Sequence, residues 1–162
     1  MESEERINVN VKIKAIRLLS FKLVEPKKPY DTNKVNFQLV FNITDSPKDA
    51  GEFTIDLIVN IFSDQTQSVS LGTIRTNGEY RIGDFDQIKE KINPNFIMPI
   101  FLGTQISTTR GLLIAQTQGT FLDGIFIPIV NPNILYQQAF AQHGSGTQHG
   151  MPQHGMGNQV TI

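Results

Sequence analysis

Apolar residues fall on every second position through much of the first half of the chain. Ile7, Val9, Val11 and Ile13 alternate with polar neighbours, which places one apolar face on a two-residue repeat and predicts a strand. The phase slips between Ala15 and Leu19 and resumes with Leu19, Phe21 and Leu23. One extra residue in a ladder does this, so a bulge or bend is expected there. Glu25-Pro26-Lys27-Lys28-Pro29 then ends the strand, because proline has no N–H to donate. Val35, Phe37, Leu39, Phe41 and Ile43 form a second alternating run, and Phe53, Ile55, Leu57, Val59 and Ile61 a third. A fourth segment carries Val69, Leu71, Ile74, Tyr80 and Ile82. Inside it, Asn77-Gly78 reads either as a hairpin turn or as a glycine bend within one long strand. Short connections between consecutive strands predict an antiparallel meander.

After Asp84 the period changes. Phe85, Ile88 and Ile92 predict a short helical turn, which Asn93-Pro94-Asn95 breaks. A long helix follows, with Asn95 as its N-cap, Gln118 at its end and Gly119 as its stop. Met98, Leu102, Ile106 and Leu113 form its apolar stripe. A second row, Gly103, Ser107, Gly111 and Ala115, is spaced by four and made of small side chains. Each glycine costs about 1 kcal/mol relative to alanine inside a helix. Such a ridge permits close approach, either to the chain's own sheet or to a helix of another subunit. Phe121 to Val130 contains Asp123-Gly124 and Pro128 and reads as an extended loop, with a short final helix over Asn133 to Phe140. The fold class is therefore α+β: a four-stranded antiparallel sheet packed with one long helix and a short C-terminal helix. Residues 1–140 form one domain. Residues 141–162, rich in Gly, Gln, His and Met, read as a disordered tail.

Charge sharpens this division. Lys and Arg number 14 against 15 Asp and Glu, yet beyond Asn93 only Arg110 and Asp123 are charged. A net charge of -1 and a pI near 6.3 give no footprint for nucleic acid, and nucleic acid is not an expected partner. The chain has no cysteine, which excludes disulfides, thiol nucleophiles and Cys-based zinc sites. The acidic start lacks the pattern of a secretory signal and no apolar run is long enough for a membrane span. A cytoplasmic protein without membrane insertion is expected.

Candidate chemistry is sparse. All three histidines, His143, His149 and His154, lie in the tail, where no rigid support places a general base. Their spacing is not that of a structural metal site, so no metal or other cofactor is expected. Asp84 and Asp86 are expected to cap the helical turn that follows them rather than to bind metal. With no P-loop, GxGxxG or nucleophile-base pair, an enzyme is not expected. What remains is hydrophobic surface. Phe121, Leu122, Ile125, Phe126, Ile127, Ile129, Val130, Ile134, Leu135 and Tyr136 crowd one short stretch. Each is worth about 1.5–3 kcal/mol when fully buried. They either fold over the sheet as core or wait for a partner. One main helix is too little to cover both faces of the sheet, so part of the surface is expected to be closed by oligomerisation or a bound partner.

The order of elements and several local motifs resemble the SecB export-chaperone family. Thr76-Asn77-Gly78-Glu79-Tyr80-Arg81-Ile82 resembles the family's glycine-then-aromatic bend in the fourth strand, which favours one long bent strand. Pro94-Asn95-Phe96-Ile97-Met98-Pro99 resembles the start of its main helix. Gly119-Thr120-Phe121 and Ile127-Pro128-Ile129-Val130-Asn131 resemble its Gly-Thr-Phe and Pro-Val-Asn loop. Together these cover about residues 10–140 in the family's order. The resemblance implies a homotetramer, a dimer of dimers with the main helices at the interface, where Gly103, Ser107, Gly111 and Ala115 would fit. It implies an ATP-independent holdase that keeps precursor polypeptides unfolded for export. The client groove would be bordered by Phe121, Leu122, Ile125, Phe126, Ile127, Ile129, Val130, Leu135 and Tyr136. In the family, two acids four apart on the first strand dock the SecA motor; the matching positions here are Ser20 and Val24, with Glu25 adjacent. The family is also strongly acidic, whereas this chain is nearly neutral. A non-catalytic adaptor of the same fold with a dedicated partner, such as a toxin-antitoxin pair, is the alternative.

Overall fold

The computed structural model describes residues 8–141 and 158–162. Five antiparallel strands form one sheet in the order β1-β4-β3-β2-β5, with β1 Val11–Leu23, β2 Asn36–Asp45, β3 Glu52–Phe62, β4 Ser70–Ile82 and β5 Asn158–Thr161. Three α-helices, α1 Phe85–Ile88, α2 Pro94–Thr117 and α3 Pro132–Ala141, lie between β4 and β5 in sequence. The architecture is α+β, with five strands where the pattern predicts four. The fifth strand lies within the segment read as a disordered tail. A tail average rich in glycine and glutamine hides the β-branched Val160-Thr161-Ile162, and the helix before it runs through Ala141, across the expected boundary. The three histidines lie outside the described residues.

The two-residue repeat sorts the sheet into unlike faces. Phe37, Leu39, Phe41 and Ile43 of β2 are buried on one side, with Phe53, Ile55, Leu57, Val59 and Ile61 of β3 and Ile74, Tyr80 and Ile82 of β4. Against them pack Met98, Leu102, Ile106 and Leu113, the predicted stripe of α2. The other face is a lattice of polar side chains. Lys14 Nζ meets Glu52 Oε1 at 2.9 Å, Arg75 meets Asp56 at 3.1 Å, and Arg17 pairs with Glu79. Asn60 donates to Gln38 at 3.1 Å and Thr73 to Asn60 at 3.0 Å. A face whose polar groups meet one another and water needs no cover. Any surface left for oligomerisation or a bound partner to close therefore lies elsewhere than on this face.

β1 pairs with β4 through two register shifts, between Ile13 and Ala15 and between Leu18 and Ser20, where the slipped phase predicts one. Val11 and Ile13 stand opposite buried Ile82 and Tyr80, so they share the helix-covered face, yet both are exposed at the sheet's edge.

Asn77-Gly78 is not a hairpin. β4 runs through it as one strand, in agreement with the long bent strand of the family resemblance. The reason lies above it. A Cβ on Gly78 would stand 2.1 Å from Gln105 Oε1 and 2.6 Å from the Tyr80 hydroxyl, so glycine is what lets α2 settle here. Tyr80 donates its hydroxyl to Gln105 Oε1, Gln105 Nε2 donates to Thr76 Oγ1 at 2.8 Å, and the Thr76 and Thr109 hydroxyls meet at 2.7 Å. Thr109 also donates to the Gln105 carbonyl at 2.8 Å. All four side chains are buried, so this closed set of hydrogen bonds fixes where α2 sits on β4.

Candidate functional site

α2 begins two residues earlier than expected. The side chain of Asn93, not Asn95, caps it by accepting from the Asn95 N–H at 3.0 Å, and Pro94 occupies the first turn, where its missing N–H costs nothing. Gly119, with φ of +72°, follows the end of the helix. Asp84, by contrast, makes no side-chain cap to α1, and Asp86 meets Lys89 at 3.3 Å. No three His, Cys, Asp or Glu side chains gather as a metal site among the described residues.

The inner face of α2 is core, and its outer face is not. Phe96 is 75% exposed and Ile100 58% exposed, and Ser107, Gly111, Ile114 and Ala115 continue the exposed row. The small-residue ridge is thus split. A Cβ on Gly103 would come within 3.1 Å of Pro132, so this glycine admits the start of α3. A Cβ on Gly111 would meet nothing within 4 Å. The ridge does not pack on the chain's own sheet, the first of the two readings open from sequence.

Between this face and the segment leading into α3 lies a groove of about 440 Å³. Ile100, Gly103, Thr104, Ser107 and Thr108 line one wall, and Ile129, Val130 and Pro132 the other. Ile129 is 92% exposed at the rim, and Phe126 and Ile134 also reach solvent. The only charge in the lining is Arg110, and it is committed: Nε donates to the Ile127 carbonyl and a terminal nitrogen to the Pro128 carbonyl, both at 2.7 Å. Asp123, the other charge of this half, accepts from the Gly119 N–H at 3.0 Å. The Tyr30 hydroxyl holds the Phe121 carbonyl at 2.8 Å. Three polar side chains thus fix a loop that has no secondary structure of its own, leaving a groove of aliphatic and hydroxyl side chains whose one charge, Arg110, is turned to the loop carbonyls.

The residues expected to border a groove divide in three. Leu122, Ile127, Leu135 and Tyr136 are buried and belong to the core. Tyr136 packs on Phe140 with ring centres 4.5 Å apart, and burial pushes its phenol above the ordinary value. Phe121, Ile125 and Val130 are half-buried, whereas Phe126 and Ile129 are open. Pattern alone cannot separate these sets, because the loop follows neither period. Phe96, Ile100 and the Arg110 clamp were not singled out from sequence; the first two fall on the outward side of a helix that is apolar nearly all round. Ser20 and Val24 are exposed on and just after β1. Among the described residues no helix is long and apolar enough to cross a membrane.

No family model matches the chain, and no curated protein matches it. Among solved structures it is similar to the SecB-like chaperone Rv1957 of Mycobacterium tuberculosis, in complex with a ChAD peptide from the Rv1956 HigA1 antitoxin. The TM-score is 0.47 and the sequence identity 15%, over 74% of this chain and 90% of that one.

Proposed function

We propose that the chain is a SecB-like, ATP-independent holdase that binds unfolded polypeptide in the groove between α2 and the Ile129–Pro132 segment. The observation that carries this reading is the uncharged apolar rim: Phe96 and Ile100 on α2, Phe126 and Ile129 on the loop that Arg110 holds, and Ile134 on α3 all face solvent. Apolar contact without charge discriminates little between sequences, which suits clients that share only exposed hydrophobic residues. In this reading the protein is cytoplasmic, performs no catalysis and needs no cofactor. Its copies assemble as a homotetramer through the C-terminal half of the outer face of α2, where Gly111 and Ala115, beyond the groove wall at Ile100 and Ser107, leave room for a second helix. The proposal does not extend to docking SecA for export, because Ser20 and Val24 carry no charge.

The test is aggregation of a chemically denatured client, without nucleotide. At several-fold excess the protein should hold scattering down, and Ile100→Asp with Ile129→Asp should abolish the effect. A wild-type protein inert in this assay refutes the reading. The nearly neutral charge favours a second reading, an adaptor with one dedicated partner such as a toxin-antitoxin pair. Affinity purification yielding a single stoichiometric partner in place of a mixed set selects it.

A further inference from the structure

We propose that the edge of β2 is a docking site for an extended polypeptide strand, and that β5 is an internal occupant which such a strand displaces. The site is separate from the α2 groove. It rests on the holdase reading only for the nature of its natural partner, a non-native chain segment with apolar residues at alternate positions.

Four observations converge on this edge. First, β5 is held chiefly by its backbone. Gln38 stands opposite Thr161 and Leu39 opposite Val160, and Phe37 and Ile162 exchange both N–H···O bonds at 2.9 and 2.8 Å. Second, its side-chain anchorage is slight: only Val160 and Ile162 pack on the core, while Gln159 and Thr161 are exposed and accept long hydrogen bonds from Gln38 at 3.5 Å and Gln67 at 3.3 Å. This is the signature of β-augmentation, in which main-chain bonds give affinity and alternate pockets give the pattern. Third, a cavity of about 750 Å³ adjoins Ile162, lined by Val35, Asn36, Asp64, Ile125 and Phe126 among others. A strand that continues the register one residue past Ile162 lies opposite Asn36, and the next opposite Val35, so a longer occupant enters this cavity. Fourth, Asn36 is buried there with half its amide used. Its Nδ2 donates to the Ile162 carbonyl at 3.1 Å, but its Oδ1 has no partner among the described residues. A buried acceptor left without a donor is costly, and a hydroxyl side chain at the position opposite Asn36 in a longer strand is placed to donate to it.

The site thus selects a strand that places apolar side chains opposite Leu39 and Phe37, asks at its outward positions only for polar groups that Gln38 and Gln67 can reach, and runs at least two residues further than β5. Such a strand competes with an intramolecular rival. A tethered strand acts at an effective concentration on the order of millimolar, so removing it raises apparent affinity for a strand in trans by about tenfold or more.

The probe is a fluorescein-labelled peptide with the sequence of residues 158–162 extended by Ser-Val, followed by anisotropy. Gln38→Cys with Thr161→Cys creates a unique pair, since the chain has no cysteine. The two positions face each other in a non-hydrogen-bonded pair, where Cα atoms lie about 4.5 Å apart, within disulfide reach. Oxidised, this variant should bind the peptide at least about tenfold more weakly than when reduced; Val160→Asp, which weakens β5, should bind about tenfold more tightly than the parent. Equal affinity across oxidised, reduced and parent proteins overturns the proposal, whether or not Val160→Asp folds. Doubling of mass on reduction with no peptide bound also overturns it, by making a second copy the occupant. The same proteins go into the aggregation assay. Peptide binding as described with no suppression of aggregation supports this site and removes the holdase reading. Suppression with no lock-dependent peptide binding leaves the holdase and removes this site.

Discussion

Tyr80→Phe with Gln105→Met tests whether the buried hydrogen bonds under α2 set the helix on the sheet. Tyr80 stacks on Phe53 with ring centres 5.5 Å apart and meets Phe101 edge-on at 5.1 Å, and Phe at position 80 keeps both contacts. What it removes is the donor to Gln105 Oε1, which is then buried without a partner. Burial pushes the Tyr80 phenol well above its ordinary value, so it is a neutral donor throughout the working pH range. Orphaning a buried acceptor costs about 1–3 kcal/mol. A loss of about 2 kcal/mol lowers the melting temperature by about 4–8 °C in a domain of this size. Gln105→Met alone strands the Tyr80 hydroxyl and should cost a similar amount. The two together replace both partners by apolar groups of nearly the same volume. The double variant leaves no polar atom of the pair to satisfy, and takes from the Thr76 hydroxyl only the Gln105 donor, with Thr109 still its partner. It should therefore lie within about 1–2 kcal/mol of the parent, well short of the summed single losses. Urea unfolding of all four proteins closes the cycle, and the expected coupling is about 2 kcal/mol or more. Strictly additive losses, or a Tyr80→Phe protein as stable as the parent, would refute the argument.

Three further expectations follow from other parts of the molecule. Arg110→Met removes both bonds to the Ile127 and Pro128 carbonyls; it should cost about 1–2 kcal/mol and make the loop before α3 the first site of limited proteolysis, while unaltered cleavage would show the loop held by other means. Gly111→Leu points into open space and improves helix propensity, so the fold should gain about 0.5–1 kcal/mol while the mass by light scattering falls; an unchanged mass would rule out assembly through this face. Asp64 accepts from the Thr66 and Ser68 hydroxyls, which hold its carboxyl below the ordinary 3.8. Its folded pKa is the lower one, so its stabilisation is present above the ordinary value and lost as pH falls through the folded one. Asp64→Asn should flatten the acid limb of a stability profile below about pH 4, and an identical acid limb would exclude the role.

Much of this architecture is written in local pattern. The alternating runs that become β2 and β3 need only a two-residue period, and the stripe from Met98 to Leu113 only a helical one. Where the pattern misleads, the deciding atoms are distant in sequence. Asn77-Gly78 carries a turn signal in any local window, and only Gln105 and Tyr80 reveal why the glycine is there. Leu122, Ile127, Leu135 and Tyr136 are as apolar as Phe126 and Ile129, and what separates them is the path of a loop pinned by Arg110 and Tyr30. β5 was hidden by averaging: four strand residues weigh little beside the glycines and glutamines before them, and their partner is β2, far back in the chain. The polar face of the sheet, in contrast, was legible in Thr54, Asp56 and Asn60, which alternate with the buried residues of β3.

The strand pairs also differ in how much chain must be gathered to make them, and that sets an order in time. Asp45 meets Phe53 across a short turn, Val11 must find Ile82, and Gln38 must find Thr161. Loop-closure entropy grows with each step, so we predict that the sheet builds outward from β2, β3 and β4, with β5 last. On that order the β2 edge is formed but unpaired for an interval, with Leu39 and Phe41 beside it. Open edges recruit other chains. Refolding yield should fall with protein concentration more steeply than native-state solubility does, and the shortest strand in the sheet is the one that closes this interval.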